Sequence, residues 1–331
     1  MKWLKWLKWP LMASVLVFLI IAISQMDGQG LIDSFRQIPI WSVVVLFCLQ
    51  IVTQLLINLQ WQRLARTFGS PISFPQMLYI NARAEMLRIA PGGYIGCDVF
   101  RAVHINRAGN CSGEEAAAVV AIQKLFSLSA FFAVSLLSVG FFIGQVPWLA
   151  DAHLRFLLYG ILIFVFLILT SFFLIPRPIA AFITKKWKSP TRFKWAGRLR
   201  GFLLAALNRI IHLRQAPAPF IVLTIISLSI WLLFPIKLFI LAAPLIPAIN
   251  PFHIGAATFI SYTVAAIPIF PGGLGGFEAT MTALLVLMGF FQSDALVITV
   301  LFRFATFWYV FILAIFFMII YKLKERFYEK N

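Results

Sequence analysis

The sequence predicts an all-α, polytopic membrane protein, a transmembrane helical bundle with about 7–8 spans of membrane-crossing length. Three observations support this fold class. Hydrophobic residues make up 62% of the 331 residues and charged residues only 12%, against about 45–50% and about 25% in soluble domains. Long apolar runs recur along the whole chain. Two shorter apolar runs adjoin Pro-Gly-Gly, which predicts two broken or re-entrant helices.

The apolar runs give the predicted spans in order. A spanning helix requires about 20 mainly apolar residues, and the clear runs lie at 10–25, 39–58, 116–143, 154–175, 219–242, 253–270 and 294–320. Weaker runs at 77–90 and 272–290 adjoin the glycine-rich breaks. The 77–90 run is too short to span, whereas 253–270 is long enough.

The first run has two interpretations. The chain opens with Lys-Trp repeated three times, a mixture typical of the membrane interface, where Trp rings lie at the level of the headgroups. A basic start and an apolar run also describe a cleaved signal peptide. The Ser-Gln-Met-Asp that follows Ile23 is a poor small-residue cleavage site, which favours an uncleaved first helix.

Lys and Arg are distributed unevenly between the connections. The 176–215 segment carries ten of them, the N-terminus three and the C-terminal tail four, whereas 144–153 and 243–252 carry none. Basic connections remain in the cytoplasm, so we expect a multi-pass protein of the cell (inner) membrane with both termini and 176–215 inside. The 176–215 segment reads either as a surface helix on anionic lipid or as a solvated basic loop.

Charge and cysteine usage limit the classes of partner. The net charge of +17 would favour nucleic acid in a soluble protein, but no basic-aromatic module accompanies it, so we expect no nucleic-acid partner and contact with anionic headgroups instead. The three Cys and four His have no metal-ligand spacing, so neither a disulfide framework nor a metal site is expected. No cofactor is expected.

A short motif occurs twice. Residues 91–98 read PGGYIGCD and residues 271–278 read PGGLGGFE, so both fit P-G-G-x-x-G-x-acid. Proline disfavours helix in the residue before it, and glycine permits dihedrals that other residues avoid. Each copy therefore predicts an interrupted helix whose free N–H groups and new helix N-terminus can bind an anion. A simple turn in a loop is the alternative, and two copies make it the weaker one.

The two motifs suggest half-repeats within one membrane domain, 1–331. The halves would cover about 39–143 and 219–320 and would be joined by the basic segment 176–215. Broken helices at corresponding positions of two halves are the usual sequence sign of a transporter's binding site. Whether the halves are inverted stays open at this point.

Several charged residues fall within or beside the apolar runs, where an ionisable side chain is expensive and indicates function. Glu85 and Arg88 are three positions apart and can pair on one helix face, as can Asp98 and Arg101. Lys124 is near enough to the cytoplasmic end to extend its ammonium to the interface. The remaining deep charges are Lys237, Glu278 and Arg303. One carboxylate for two cations favours an anionic ligand such as a phosphate.

These residues carry a resemblance to a known family. The run from Asn81 to Arg101, with its P-G-G-x-x-G-x-D-x-x-R core, resembles the first signature of the membrane domain of lysylphosphatidylglycerol synthases, which stand-alone flippase-like proteins share. Residues 271–306 are similar to the second signature, with Glu278, Arg303 and Thr306 at the matching positions. The resemblance extends from the second predicted helix to the last.

The resemblance implies an integral membrane fold with re-entrant helices that moves lipids between leaflets. Full-length synthases continue into a cytoplasmic aminoacyltransferase domain, whereas this sequence ends at Asn331, so we expect no lysyltransferase activity. Two departures bear on the substrate. Gln123 and Lys124 stand where family members often carry an acidic-basic pair, and Phe277 replaces the basic residue that often precedes the second Glu.

We therefore expect a lipid translocase that moves an anionic phospholipid or a lipid-linked phosphate. Arg101, Arg303 and Lys237 would hold the phosphate, while Asp98 and Glu278 would pair with these cations or bind an amino headgroup. The other members of the expected substrate-binding set are Thr306 and the glycines Gly92, Gly93, Gly96, Gly272, Gly273 and Gly276.

Two alternatives remain open: an integral membrane enzyme acting on lipid phosphates, which would need clustered acids or a His base, and an accessory subunit of a lipid or glycan synthase. No nucleotide-binding G-x-x-x-x-G-K-[ST] is present, so a coupling ion would supply any energy, or the lipid equilibrates passively.

Overall fold

The computed structural model describes residues 28–88, 93–108, 112–143, 152–187, 194–267 and 273–328. These residues form helices without strands, which confirms the all-α class. The helices are α1 Gly28–Gln37, α2 Ile40–Thr67, α3 Phe74–Met86, α4 Gly93–Ala108, α5 Gly113–Ile143, α6 Ala152–Leu174, α7 Pro176–Lys186, α8 Lys194–Gln215, α9 Pro217–Ala242, α10 Pro251–Ala265, α11 Gly276–Leu287, α12 Gln292–Arg303 and α13 Tyr309–Tyr328.

Five segments of the described chain are long and apolar enough to cross a membrane. They are Ile40–Thr67, Gly113–Gly140, Phe156–Leu174, Pro217–Ala242 and Gln292–Leu323. All five correspond to predicted runs, so the polytopic class is confirmed. The predicted first span, 10–25, lies outside the described residues.

The sequence-based expectation for 253–270 is wrong. The helix in this region, α10, begins at Pro251 and ends at Ala265 after 15 residues, which is about 22 Å at 1.5 Å per residue and short of the ~30 Å hydrocarbon core. Pro268 follows in the sequence, and proline disfavours helix in the residue before it. The run is apolar over its whole length, but its helix ends at Ala265.

Helices α2 and α9 pack against each other in opposite directions. Gln50 on α2 contacts Lys237 on α9, and Gln60, ten residues further along α2, contacts Ser227, ten residues earlier on α9. Contacts that advance along one helix and retreat along the other require an antiparallel pair. Each of these two helices precedes one copy of the Pro-Gly-Gly motif.

Two short helices, α3 and α10, each pack on a long segment from the other predicted half. Tyr79 of α3 stacks on Tyr321 of α13, with ring centroids 4.6 Å apart. Phe259 of α10 packs edge-on against Phe131 of α5, at 5.2 Å. The order long helix, short helix, short helix, long helix thus occurs in α2–α5 and again in α9–α13, where α12 and α13 belong to one spanning segment, Gln292–Leu323. In each group the first short helix packs on a long segment of the other group.

The basic segment 176–215 contains α7 and α8. Lys185 and Lys186 are exposed at the end of α7. Helix α8 is attached to the bundle by Arg209, whose Nη2 lies 3.0 Å from the Glu115 carboxylate at the start of α5. The helical interpretation of this segment therefore fits the structure, while its contact with lipid stays a prediction.

Candidate functional site

The first motif joins α3 to α4. Helix α3 begins with a capping box in which Ser73 and Gln76 bond to each other's backbone N–H, a standard way to satisfy the first free donors of a helix. Gly93 begins α4, and Gly96 lies in its first turn with open space beside it. Pro91 and the predicted site residue Gly92 lie outside the described residues.

Arg101 is the centre of a buried polar cluster. Its side chain is only 6% exposed. Nε donates to Oδ1 of Asn81 at 2.9 Å, Nη2 to Oε1 of Glu85 at 2.9 Å and Nη1 to Oδ1 of Asp98 at 3.3 Å. The guanidinium carbon lies 5.0 Å from the centre of the Trp61 ring. Protein groups therefore occupy three nitrogens and one face of the Arg101 guanidinium, the group that was predicted to bind the phosphate.

Glu85 and Asp98 each contact a second cation. Glu85 pairs with Arg88, and Asp98 lies 3.1 Å from Nζ of Lys124 on α5. The predicted pairs Glu85–Arg88 and Asp98–Arg101 are thus confirmed. Lys124 pairs with Asp98 although its side chain is 43% exposed, so the most accessible cation of the first cluster is on α5.

The second motif is folded around two glycines in the left-handed region. Gly273 has φ +74° and Gly275 has φ +84°, a region that residues with a Cβ rarely adopt. A Cβ on Gly273 would lie 2.7 Å from the Cβ of Ala265, so the break packs tightly on the end of α10. The other predicted glycine, Gly276, is buried at the start of α11, while Pro271 and Gly272 lie outside the described residues.

Glu278 joins the start of α11 to α12. Its Oε2 accepts from the backbone N–H of Gly275 at 2.6 Å, and its Oε1 accepts from Nε of Arg303 at 3.0 Å. Both side chains are less than 10% exposed. The carboxylate therefore caps the helix that begins at the break and also holds the predicted cation.

Arg303 is held between two aromatic rings. Its guanidinium carbon lies 4.8 Å from the centre of the Phe277 ring and 4.4 Å from that of Phe307, a geometry that stabilises a cation. Phe277, which departs from the family pattern, thus contacts the cation directly. A π-helical turn, Phe304–Trp308, follows Arg303 at once, and such turns are frequent at functional sites. Thr306 lies within that turn and donates to the carbonyl of Phe302 at 2.8 Å.

Lys237 is buried apart from the two motif clusters. Its side chain has no exposed surface, and Nζ donates to Oε1 of Gln50 at 2.6 Å and to Oγ1 of Thr53 at 3.2 Å. The ring of Phe234 is 4.0 Å away. Glu278 is engaged by Arg303, and the partners that the structure gives to Lys237 are neutral.

The two motifs place their acids alike. Asp98 and Glu278 occupy the same motif position, and each contacts a cation on a helix that follows: Lys124 on α5 and Arg303 on α12. The equivalence was not predicted, because the 26 and 25 positions that separate the partners have no local periodic relation.

Buried amides form further hydrogen bonds between helices, and their roles were also not predicted. Asn81 donates to Asn58 at 2.9 Å. Further along α2, Gln60 donates to Ser227 at 2.6 Å and accepts from Gln123 at 3.0 Å. The available signal was the recurrence of polar residues in the second half of an otherwise apolar helix. Within the described chain, no group of three His, Cys, Asp or Glu is placed to hold a metal ion.

Comparison with known proteins gives one family. A family model described as "Lysylphosphatidylglycerol synthase TM region" matches residues 9–314. The matched range contains both motifs, Arg303 and Thr306. No curated protein matches the chain.

Proposed function

We propose that this chain, which belongs to the family of the lysylphosphatidylglycerol synthase TM region, is a lipid translocase that moves an anionic phospholipid or a lipid-linked phosphate between membrane leaflets. Membership makes it a multi-pass membrane protein related to lipid-synthase membrane domains. Translocation is the function that its buried charges support best.

The observation that carries the proposal is the pair of acid–cation contacts at the two helix breaks. Asp98–Lys124 and Glu278–Arg303 belong to halves whose leading helices, α2 and α9, run in opposite directions. Non-helical backbone at membrane depth is tolerated where protein buries it or where it lines a watery cavity. If the two broken helices enter the membrane from opposite faces, each leaflet has one polar site at which a lipid headgroup can bind.

The balance of charge selects an anionic headgroup. The two motif clusters contain the cations Arg88, Arg101, Lys124 and Arg303 against the carboxylates Glu85, Asp98 and Glu278, and Lys237 adds a further buried cation apart from them. A phosphate that reaches either break can replace the carboxylate at its cation, because both are oxygen anions that accept charge-assisted hydrogen bonds. The released Asp98 or Glu278 is then available to an amino headgroup.

We further infer how the chain lies in the membrane. The helices α3 and α4 form one re-entrant pair and α10 and α11 the other, entering from opposite faces. The chain lies in the cell (inner) membrane. Both termini and α7–α8 are on the cytoplasmic side, as the Lys and Arg distribution indicates. Transport involves no group transfer, and a coupling ion or passive equilibration provides the driving force.

A leaflet assay tests the proposal. Purified protein is reconstituted into liposomes with labelled phosphatidylglycerol, phosphatidylethanolamine or phosphatidylcholine. A reductant that cannot cross the membrane is added outside, so the loss of label measures how fast lipid moves from the inner to the outer leaflet. Wild type should move the anionic lipid faster than empty liposomes do, whereas Glu278→Ala and Arg303→Ala should fall to the empty-liposome rate. The matched control is Asp33→Ala, which removes a carboxylate that is 67% exposed and paired with Arg36 on the surface helix α1.

Three outcomes contradict the proposal. If wild type moves no lipid faster than empty liposomes do, the protein does not translocate the lipids tested. Equal rates for wild type and both variants would remove the site. Recovery of chemically altered lipid by mass spectrometry would favour the membrane enzyme instead.

A further inference from the structure

A groove separate from the motif clusters lies between α3 and α13. Its cavity has a volume of about 480 Å³. Helix α3 lines it with Tyr79 and Arg83, and α13 with Ile315, Met318, Ile319 and Lys322. The four positions on α13 are spaced three, one and three apart, so they share one face of that helix.

The wall formed by α13 is apolar and accessible. Ile315 is 48% exposed and Ile319 is 53% exposed, and both belong to the spanning segment Gln292–Leu323. Accessible aliphatic side chains in a spanning segment face the lipid hydrocarbon. The natural occupant of such a wall is an acyl chain.

The groove also has a cation on each side. Arg83 and Lys322 are both exposed, and the side chains that the structure describes around the groove include no carboxylate. The acid nearest to Arg83 in the sequence, Glu85, is buried and engaged by Arg88 and Arg101. The charge at the groove is therefore positive, and it complements a phosphodiester.

Aromatic rings hold Arg83 in place. Its guanidinium carbon lies 5.7 Å from the centre of the Tyr79 ring and 5.3 Å from that of Phe100, and Tyr79 itself stacks on Tyr321. Rings cover faces of a guanidinium but leave its N–H edges to bind oxygen. Phe100 directly precedes Arg101, so the groove adjoins the first motif cluster.

We infer that this groove binds an anionic phospholipid, with an acyl chain along Ile315 and Ile319 and the phosphodiester between Arg83 and Lys322. A free phosphate would leave the apolar wall uncovered, and a zwitterionic lipid would add a cation beside two others. The site requires only binding, so it does not depend on translocation.

Native mass spectrometry of the full chain in detergent tests this inference. The protein is mixed with equal amounts of dioleoylphosphatidylglycerol and dioleoylphosphatidylcholine, and the ratio of the two bound lipids is measured. Wild type should prefer phosphatidylglycerol. The double variant Arg83→Gln/Lys322→Gln should lose about tenfold of that preference, because each basic residue near a membrane surface attracts anionic lipid.

Two matched controls separate the groove from general charge and from misfolding. Arg63→Gln/Arg107→Gln removes two exposed cations elsewhere and should keep the preference. Ile319→Trp fills the groove and should lower total bound lipid at unchanged charge, whereas Ile320→Trp, on the neighbouring face, should not. An unchanged preference in the Arg83/Lys322 variant, equal losses in both charge variants, or equal occupancy in both Trp variants would overturn the inference. Binding without crossing in liposomes would leave it intact and defeat the proposed translocation.

Discussion

Lys237 differs from the buried arginines in its neighbours. Arg101 and Arg303 lie against carboxylates, whereas the ammonium of Lys237 donates to a neutral amide and a neutral hydroxyl, those of Gln50 and Thr53. An ionised side chain in a spanning helix costs a few kcal/mol. A bound anion would reduce that cost. A substitution at Lys237 can therefore distinguish a role in stability from a role in transport.

We expect Lys237→Met to keep stability and lose transport. Replacing a buried charge by an apolar side chain of similar size is often neutral or stabilising, so the melting temperature should remain within about 3 °C of wild type, while anionic lipid crossing should fall to the empty-liposome rate. Ile236→Met, at a neighbouring position that is 45% exposed, is the control and should match wild type in both measurements. Crossing at the wild-type rate in Lys237→Met would assign Lys237 a purely structural role.

At the scale of the elements, the second break is held by backbone conformation and by close packing together. Gly273 combines a positive φ with a Cβ position only 3.0 Å from the carbonyl oxygen of Ala265. Gly289, in the connection between α11 and α12, also has a positive φ, +97°, but has open space around it. The two glycines therefore separate the cost of conformation from the cost of packing.

Gly273→Ala should destabilise the protein more than Gly289→Ala. Both substitutions force a Cβ into the left-handed region, at about 1–2 kcal/mol, and Gly273→Ala adds about 1–3 kcal/mol for overpacking against α10. Thermal unfolding in detergent, followed by circular dichroism, measures the difference. Equal melting temperatures for the two variants would mean that α10 moves to accommodate the new Cβ without any loss of stability.

Across the whole molecule, α2 and α9, each of which precedes one copy of the Pro-Gly-Gly motif, run in opposite directions. Two short helices each pack on a long segment from the other predicted half, α3 on α13 and α10 on α5. Each break is consequently supported by both halves.

Cysteine labelling checks the orientation. Helix α9 has 26 residues, about 39 Å at 1.5 Å per residue, so exposed positions before and after it should be on opposite sides. In a chain with Cys48, Cys97 and Cys111 replaced by Ser, Lys186→Cys should react with an impermeant maleimide only after cells are opened. Ala248→Cys should react in intact cells, and the buried control Leu241→Cys in neither. Labelling of both exposed positions from one side would contradict the orientation.

The fold was largely predictable, and the reason is local. Apolar length predicted the five spanning segments, and the Pro-Gly-Gly motifs predicted where helices stop, because hydrophobic burial and backbone dihedrals depend on neighbouring residues. The exception is 253–270, whose apolar length predicts a span although the helix ends at Ala265, three positions before Pro268. The π-helical turn after Arg303 had no signal in the sequence.

The candidate site was predictable in its residues, but its specific partners were predictable only where they are close in sequence. The pairs Glu85–Arg88 and Asp98–Arg101 are three positions apart, so helix geometry alone joins them. By itself the sequence determined the five spanning segments of the described chain, the buried charged residues and the family. Only the tertiary structure decided that Asp98 contacts Lys124, that Glu278 contacts Arg303 and that Lys237 contacts Gln50 across 187 positions. These contacts depend on how separate helices pack, and no local periodicity encodes that packing.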